Sequence, residues 1–246
     1  MKSEKYRDLT LLHINAECSL VIACDSCGGI GSKELDVVKV DPEVVGYFTA
    51  AVVLCELLAF RAIPQTFINN FCVEMNPTGE RILVGIKEAI EETGLDSNHL
   101  LTGSTEENIP VMQTGIGLTC IGIVDSKSWI KPKTKLGDEL FAIGIPKVGT
   151  EVEKTEEMSN LSIISQINNN MGIHEILPVG SKGIDYEVSE LCRCNKLAFS
   201  YTENIPLDIK KSAGPVTCVL VSGKKDIIVK ILEHLGATYN YLGKFY

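Results

Sequence analysis

The order of apolar and polar positions in the first part of the chain predicts strands alternating with helices. Residues 40–60 predict a buried helix, because Asp41 and Pro42 form a helix start and apolar residues then occupy more than one side. Apolar spacing over residues 80–93 predicts a second helix, which ends before Gly94. Short apolar runs bounded by turn formers predict strands. These runs are residues 9–14, 20–24, 37–40, 66–75 and 114–124.

The rest of the chain continues the mixture with longer connections. A strand is predicted within 131–149, and the polar stretch 147–157 is suited to a domain junction. Helices are predicted at 158–168, 183–194 and 225–235, and strands at 197–201, 216–222 and 238–242. Hairpin-like strands followed by longer connections favour an α+β fold over a doubly wound sheet. We therefore predict two α+β domains, residues 1–147 and residues 148–246.

Composition excludes several classes of protein. The 246 residues are 45% hydrophobic, which supports a large core, and the net charge of −9 without a basic tract argues against a nucleic-acid partner. No apolar run approaches the roughly 20 residues that span a bilayer, and the charged N-terminus lacks a signal-peptide core. Nine scattered cysteines, several of them in apolar segments, suit a reducing compartment. We expect a cytoplasmic protein that binds neither nucleic acid nor membranes.

The stretch LVIACDSCGGIGSKELD, residues 20–36, raises the question of what its loop binds. Cys24 and Cys27 form a CxxC pair, but a structural zinc site usually needs a second such pair, and Cys192 and Cys194 have the wrong spacing. A glycine-rich turn after a strand exposes backbone N–H groups, which suits an anion. The P-loop pattern GxxxxGK[ST] is absent. A phosphate site and a turn without a ligand therefore both stay open on these residues alone.

Acidic residues at separate predicted elements suggest a second kind of chemistry. Asp25 follows the apolar run of a strand, Glu56 lies within an apolar helix, and Glu106 and Glu107 lie in a loop after another strand. A buried carboxylate is costly unless it is paired or bound to a metal. Convergence of these residues would suit Mg²⁺, which favours a few carboxylates together with substrate phosphates. The alternative is that Glu56 faces solvent or pairs with Arg61.

Four segments, taken in order, resemble the superfamily of aminoimidazole ribonucleotide synthetase, thiamine monophosphate kinase, selenophosphate synthetase and the hydrogenase maturation ATPase. ACDSCGGIGSK resembles its post-strand Thr-Asp-Gly loop, with Asp25 as the metal aspartate and Lys33 as the trailing lysine. VLCELLAFRAIP resembles its Val-Asn-Asp-Leu-Leu-Ala-Met-Gly-Ala-x-Pro helix, with Glu56 for the aspartate and Arg61 for the glycine. TGSTEEN resembles its Gly-Gly-(Asp/Glu)-Thr loop, and IHEILPVGSKG, which contains His174, resembles its His-Asp-x-(Thr/Ser)-x-Gly-Gly segment.

Further segments are similar to one short branch of that superfamily, the α-ribazole kinases of cobalamin salvage, also called α-ribazole-5-phosphate synthases. These segments are VVKVDPEVVGYFTA, FCVEMNPTGERI, LTGSTEENIPVMQTGIG, HEILPVGSKGI and LDIKKSAGPVTCVLVS. The resemblance implies two α+β lobes, with the first lobes of two subunits pairing in a barrel-like homodimer. It also implies ATP-dependent phosphorylation of the 5′-hydroxyl of α-ribazole, a dimethylbenzimidazole nucleoside, with ATP and Mg²⁺ as cofactors.

The resemblance assigns roles to individual residues. The implied catalytic residues are Asp25, Lys33 and His174. The implied nucleotide-binding residues are Gly28, Gly29, Gly31, Ser32, Thr105, Ser181 and Lys182, and the implied metal ligands are Asp25, Glu56, Glu106 and Glu107. Two alternatives remain: another small-molecule ATP-dependent kinase or synthetase of the superfamily, and a nucleotide-binding partner protein without catalysis. The substituted motif positions, such as Glu56, motivate the second alternative.

Overall fold

The structure is a computed structural model that describes residues 2–152, 157–159 and 161–246. The chain divides into two compact units. The first unit is Met1–Leu57 with Ala62–Trp129, and the second is Leu58–Arg61 with Ile130–Tyr246. The division falls earlier than the predicted junction at 147, because the strand Glu139–Gly144 pairs with strands of the second unit. Residues 153–156 of the predicted junction lie outside the described residues.

Within the described residues, the first unit contains a six-stranded sheet, a short parallel pair of strands and two α-helices. In chain order its elements are β1 (Lys2–Tyr6), β2 (Leu9–His13), β3 (Cys18–Gly28), β4 (Ile30–Gly31), β5 (Val38–Lys39), α1 (Pro42–Ala59), β6 (Ile63–Phe71), α2 (Glu80–Glu92), β7 (Leu101–Ser104) and β8 (Gly115–Asp125). The last turn of α1 belongs to the second unit. Six strands form a sheet in the order β1-β2-β3-β8-β6-β7, in which the β6–β7 pair is parallel and the others are antiparallel.

Strand β3 is longer than its composition predicts. The apolar run stops before Asp25, yet the ladder with β8 continues, and it pairs Asp25 with Leu118 and Gly28 with Gly115. Backbone pairing does not require apolar side chains, so the partner strand extends β3 through the polar residues. Asp25 therefore lies inside a strand, and the turn begins only after Gly28.

Helix α1 forms the centre of the core of the first unit, as predicted. Val53, Leu54 and Leu57 are fully buried. The helix is long and apolar enough to cross a membrane by length and composition, and 78% of it is buried within the fold. A core helix of a soluble protein has the same properties.

In the part of the chain that the structure describes, the second unit is a five-stranded antiparallel sheet with three α-helices. Its elements are β9 (Glu139–Gly144), α3 (Leu161–Ile167), β10 (Ile173–Pro178), α4 (Gly183–Asn195), β11 (Phe199–Tyr201), β12 (Cys218–Gly223), α5 (Lys225–His234) and β13 (Tyr239–Phe245). The strand order is β10-β12-β9-β13-β11. Apolar residues of α4 and of this sheet share one buried cluster. The α+β class predicted from the sequence is confirmed.

Arg61 has a backbone conformation that usually favours glycine, with φ of +60°. Its Nε donates to the carbonyl of Asn168 at 2.8 Å, and its Nη2 donates to the carbonyl of Ile173 at 2.7 Å. Burial lowers the pKa of this guanidinium, an effect that Glu175 opposes. These carbonyl partners differ from Glu56, the partner considered from the sequence. Arg61 therefore keeps the conformation of the glycine expected there and adds hydrogen bonds within the second unit.

Candidate functional site

The glycine loop that follows β3 folds onto residues 111–114. The amide of Gly29 donates to the carbonyl of Thr114 at 2.9 Å, and the amide of Leu35 donates to the carbonyl of Met112 at 2.9 Å. The carbonyl of Gly29 accepts from the amide of Val37 at 2.7 Å. The Gly29 N–H, predicted as a phosphate donor, thus already has a partner. Gly28 and Ser32 are exposed, and Gly31 is buried.

Asp36 fixes the loop from inside, and sequence reasoning assigned it no role. Its side chain is buried, and its Oδ2 accepts from the Lys33 amide at 2.8 Å and from Thr114 Oγ1 at 2.7 Å. Its Oδ1 accepts from the Thr114 amide at 2.7 Å. Gly31 passes so close that an added Cβ would lie 2.4 Å from Thr114 Oγ1 and 2.8 Å from Asp36 Oδ2. No local pattern distinguishes a buried aspartate from an exposed one in a polar loop.

Asp25 and Cys27 lie half-buried on β3. Burial raises the pKa of Asp25, and a hydrogen bond from the Ser26 backbone partly opposes this shift. Burial, together with the charges of Asp25 and Asp36, raises the pKa of Cys27 to about 11. At neutral pH Cys27 is therefore a thiol, whereas a zinc ligand or redox nucleophile must be a thiolate. A charged Asp25 is disfavoured by desolvation, and a bound cation would offset that cost.

Lys33 reaches from the glycine loop to the segment that follows β6. Its Nζ lies 2.6 Å from Oε2 of Glu74, and the other oxygen of Glu74 accepts from Thr78 Oγ1. Burial by itself would raise the pKa of Glu74, but the hydrogen bonds from Lys33 and Thr78 outweigh it and hold the pKa below its ordinary value. Glu74 begins a π-helical turn, Met75–Gly79. Sequence reasoning missed Glu74, because no motif marks it.

The loop after β7 lies beside this same segment. Glu107 Oε1 accepts from the Met75 amide at 2.8 Å and from Thr105 Oγ1 at 2.7 Å. The Glu106 amide donates to the carbonyl of Val73 at 3.0 Å. The Glu106 carboxylate accepts from the amides of its own loop at 108 and 109, which lowers its pKa. Lys33, Glu74, Thr105 and Glu107 therefore belong to one connected neighbourhood of the first unit.

The four predicted metal ligands are not gathered into one carboxylate cluster. Within residues 2–152, 157–159 and 161–246, no three His, Cys, Asp or Glu side chains are grouped so as to hold a metal ion. Glu56 is half-buried on α1, and Glu106 bonds to its own loop. Mg²⁺ usually takes one or two carboxylates together with water and substrate phosphates. The desolvated Asp25 fits such a ligand, and the metal roles of the individual residues stay predictions.

An open cleft lies next to the glycine loop in the first unit, with a volume of about 610 Å³. Its lining is largely apolar side chains and glycine backbone. The residues are Gly28, Gly29, Leu35, Val37, Cys72, Val111, Met112, Gln113, Thr114 and Gly115. Several of the apolar side chains are exposed, and Val37 is 84% exposed. Of these residues only Gly28 and Gly29 have a role predicted from the sequence, in nucleotide binding.

The predicted residues of the second unit have different surroundings. His174 Nδ1 lies 2.8 Å from Asp138 Oδ2, and both side chains are nearly buried. Ser181 and Lys182 are exposed in the turn before α4, and Lys182 Nζ lies 4.1 Å from the ring centroid of Tyr186. His174 is thus held in a hydrogen-bonded pair, whereas the other two are on the surface. The catalytic role of His174 and the nucleotide-binding roles of Ser181 and Lys182 stay predictions.

Residues 6–124 match the family described as AIR synthase related protein, N-terminal domain. The match spans just under half of the chain, and it contains Asp25, Lys33, Glu56, Glu74 and Glu107. No curated protein matches the chain.

Solved structures share the fold over nearly all of the chain. Thiamine-monophosphate kinase from Stenotrophomonas maltophilia is 14% identical with a TM-score of 0.66, over 99% of this chain and 88% of that one. AaThiL complexed with AMPPCP and TMP is 13% identical with a TM-score of 0.62, over 97% and 84%. Thermotoga maritima PurL complexed with ADP is 12% identical with a TM-score of 0.69, over 99% of this chain but only 42% of that one. At such identities the likeness shows the fold, and the predicted AIR synthase-like fold is confirmed.

Proposed function

We propose that this chain, which carries an AIR synthase-related N-terminal domain over residues 6–124, is a cytoplasmic ATP-dependent kinase of a small molecule. The finer proposal is that the acceptor is the 5′-hydroxyl of α-ribazole. The observation that carries the kinase proposal is the glycine loop, which has Asp25 and Lys33 on either side of it and is fixed from inside by Asp36. The fold shared with a thiamine-monophosphate kinase supports it.

Phosphoryl transfer requires positioning and charge neutralisation more than covalent chemistry from the protein. Lys33 supplies a positive charge, and the exposed backbone at Gly28 and Ser32 gives phosphate oxygens close access to the loop. Asp25, assisted by Glu107, would hold Mg²⁺, which supplies neutralisation of the phosphate charge when it is bound. Thr105 would contribute a hydroxyl next to Glu107.

The direct test is incubation of the purified chain with Mg²⁺-ATP and α-ribazole, followed by measurement of ADP and of the phosphorylated nucleoside. The proposal expects equal amounts of both products. Absence of ADP above background would contradict it. ADP formed only with another acceptor, such as thiamine monophosphate, would favour a different kinase of the same fold. Nucleotide binding without turnover would favour a binding protein.

We also propose that the protein is a homodimer formed through the outer face of the six-stranded sheet. Apolar side chains on that face are only half-buried, namely Leu20, Ile22, Ile68, Ile121 and Ile123. A row of this kind on a monomer is a typical association surface. Light scattering should give twice the mass of one chain, and Ile121→Asp should halve it. Val84→Asp on the exposed side of α2 is the matched control, and a wild-type monomer would disprove the proposal.

A further inference from the structure

The open cleft shares Gly28 and Gly29 with the glycine loop, and its apolar walls have no part in the phosphate chemistry proposed above. Its volume of about 610 Å³ lies in the range of small-ligand pockets. Leu35, Val37, Val111 and Met112 supply apolar walls, and the Cys72 thiol is exposed at its edge. Such walls suit a flat apolar ring, and the sulfur atoms of methionine and cysteine make favourable contacts with aromatic rings.

The backbone amides and the Gln113 side chain in the lining largely form hydrogen bonds with other residues of the lining. The amides of Gly29, Leu35 and Cys72 donate to carbonyls of residues 112–115 at 2.8 to 2.9 Å. The side-chain amide of Gln113 donates to the carbonyl of Leu35 at 2.8 Å. These donors are therefore not free for a ligand. A ring with many hydrogen-bonding groups would leave some of them unpaired on burial, which is unfavourable.

We infer that this cleft binds the aromatic ring of the phosphoryl acceptor, and that the acceptor is a nucleoside whose base has an alkylated, largely apolar edge. The inference rests on the proposed function and deepens it. Adenine has an exocyclic amine and several ring nitrogens that need partners, whereas an alkylated benzimidazole presents mainly C–H and methyl groups. The cleft therefore selects the acceptor by shape and apolar contact, and ATP uses the loop.

Cys72 provides a probe of occupancy, and Cys24 provides a control within the same molecule. Both thiols are exposed, but Cys24 does not line the cleft. Alkylation by N-ethylmaleimide is followed at each cysteine by peptide mass spectrometry. At about ten times its dissociation constant a ligand leaves about one site in eleven free, so α-ribazole should slow alkylation of Cys72 about tenfold. Alkylation of Cys24 should be unchanged, and Mg²⁺-ADP should protect neither thiol.

Substitution of the apolar wall provides an independent measurement. Met112→Gln should raise the dissociation constant of α-ribazole about tenfold, because one apolar contact with the ring is lost. Its affinity for Mg²⁺-ADP should stay as in the wild type. Met171→Gln, the same change at an exposed methionine of the second unit, should alter neither.

Three results would overturn the inference. Protection of Cys72 by Mg²⁺-ADP would assign the cleft to the nucleotide base, and protection that rises with protein concentration alone would assign it to a second copy of the chain. Phosphorylation of α-ribazole with an unchanged alkylation rate at Cys72 would refute the inference while the kinase proposal stands. Protection by α-ribazole without ADP formation would support the inference and refute the kinase proposal.

Discussion

Lys33 Nζ lies 2.6 Å from Glu74 Oε2, so the one lysine of the glycine loop is neutralised by a carboxylate from the segment after β6. An incoming phosphate must compete with Glu74 for this ammonium group. The lysine ammonium group has three N–H donors, and one of them is directed at Glu74. The ion pair with Glu74 thus holds the glycine loop in place and also reduces the positive charge that Lys33 offers to a nucleotide.

Glu74→Gln should tighten binding of Mg²⁺-ATP, because Lys33 then keeps its full charge for the phosphates. We expect a gain of about three- to tenfold, and a loss of at least about tenfold in Lys33→Met, as for hydrogen bonds to charged groups. Titration calorimetry of both single variants and the double variant measures the coupling between the two side chains. In the Lys33→Met background Glu74→Gln should have no effect. Equal effects in both backgrounds would show that Glu74 acts independently of Lys33.

The same pair predicts a pH dependence of stability. The folded-state pKa of Glu74 lies below its ordinary value, so its contribution is present above the unfolded pKa of about 4.3 and is lost as the pH falls through the folded pKa. Glu74→Gln should lower the free energy of unfolding by about 1 kcal/mol at pH 7, a value suited to a partly exposed pair. Urea titrations should show the difference shrinking below about pH 4. A constant difference down to pH 3 would contradict the assignment.

Asp25→Asn should reduce the activity of the protein without reducing its stability. Loss of a metal ligand should reduce turnover by about a hundredfold or more, since several kcal/mol of charge stabilisation depend on it. Burial raises the pKa of Asp25, so the charged form costs stability at pH 7, and the variant should unfold at the wild-type temperature or above it.

Asp125→Asn is the control for that experiment, since it makes the same change at the exposed far end of β8. Its turnover should equal that of the wild type. Near-normal turnover in Asp25→Asn would remove Asp25 from the proposed metal site, and loss of the fold would contradict the predicted stability.

Cys27 should behave as an inert thiol. With a pKa of about 11, about one thousandth of it is thiolate at pH 8, so alkylation should be far slower than at Cys24. Cys27→Ser should leave turnover within about twofold, as for a residue outside the chemistry. Purified protein analysed by metal emission spectroscopy should contain no stoichiometric zinc. Loss of bound zinc in Cys27→Ser would instead restore the zinc interpretation of the CxxC pair.

Gly31→Ala and Gly28→Ala form a matched pair within one loop. At Gly31, where φ is +152°, a new Cβ would collide with Thr114 and Asp36, so we expect about 1–3 kcal/mol of destabilisation and loss of nucleotide binding. At Gly28 no atom lies within 4 Å of a new Cβ, so stability should be unchanged. Reduced ATP affinity in Gly28→Ala alone would indicate close approach of the phosphates. Thermal unfolding and calorimetry distinguish these outcomes.

Periodicity predicted the regular elements well, because local spacing determines which face of a helix or strand is buried. The helix predicted to start at Pro42 does so, and the helix predicted from 183 to 194 runs from Gly183 to Asn195. Local spacing contains no information about contacts between segments that are distant in the chain. The extension of β3 depends on pairing with β8, and the role of Asp36 depends on Thr114, 78 positions away.

In the candidate site, too, some residues could be predicted from the sequence and others depend on distant contacts. Asp25, the glycines and Lys33 could be selected from residue type and order, because a phosphate site needs those groups near a strand end. Glu74 could not, since its importance comes from Lys33, which is 41 positions away. The structure divides the chain before the predicted junction at 147 for a related reason. The polar stretch after 147 resembles a linker, whereas the strand pairing of residues 139–144 assigns them to the second unit.

The hydrogen bonds of Arg61 limit how this chain can change over evolution. Both acceptors described above are backbone carbonyls, so the side chains at positions 168 and 173 can vary without loss of the bonds. The length of the connection between them cannot vary, because an inserted residue would shift one carbonyl relative to the other. Chains that retain glycine at position 61 have no such constraint. An arginine there should therefore accompany an invariant spacing of the 168–173 segment, even where its sequence has diverged.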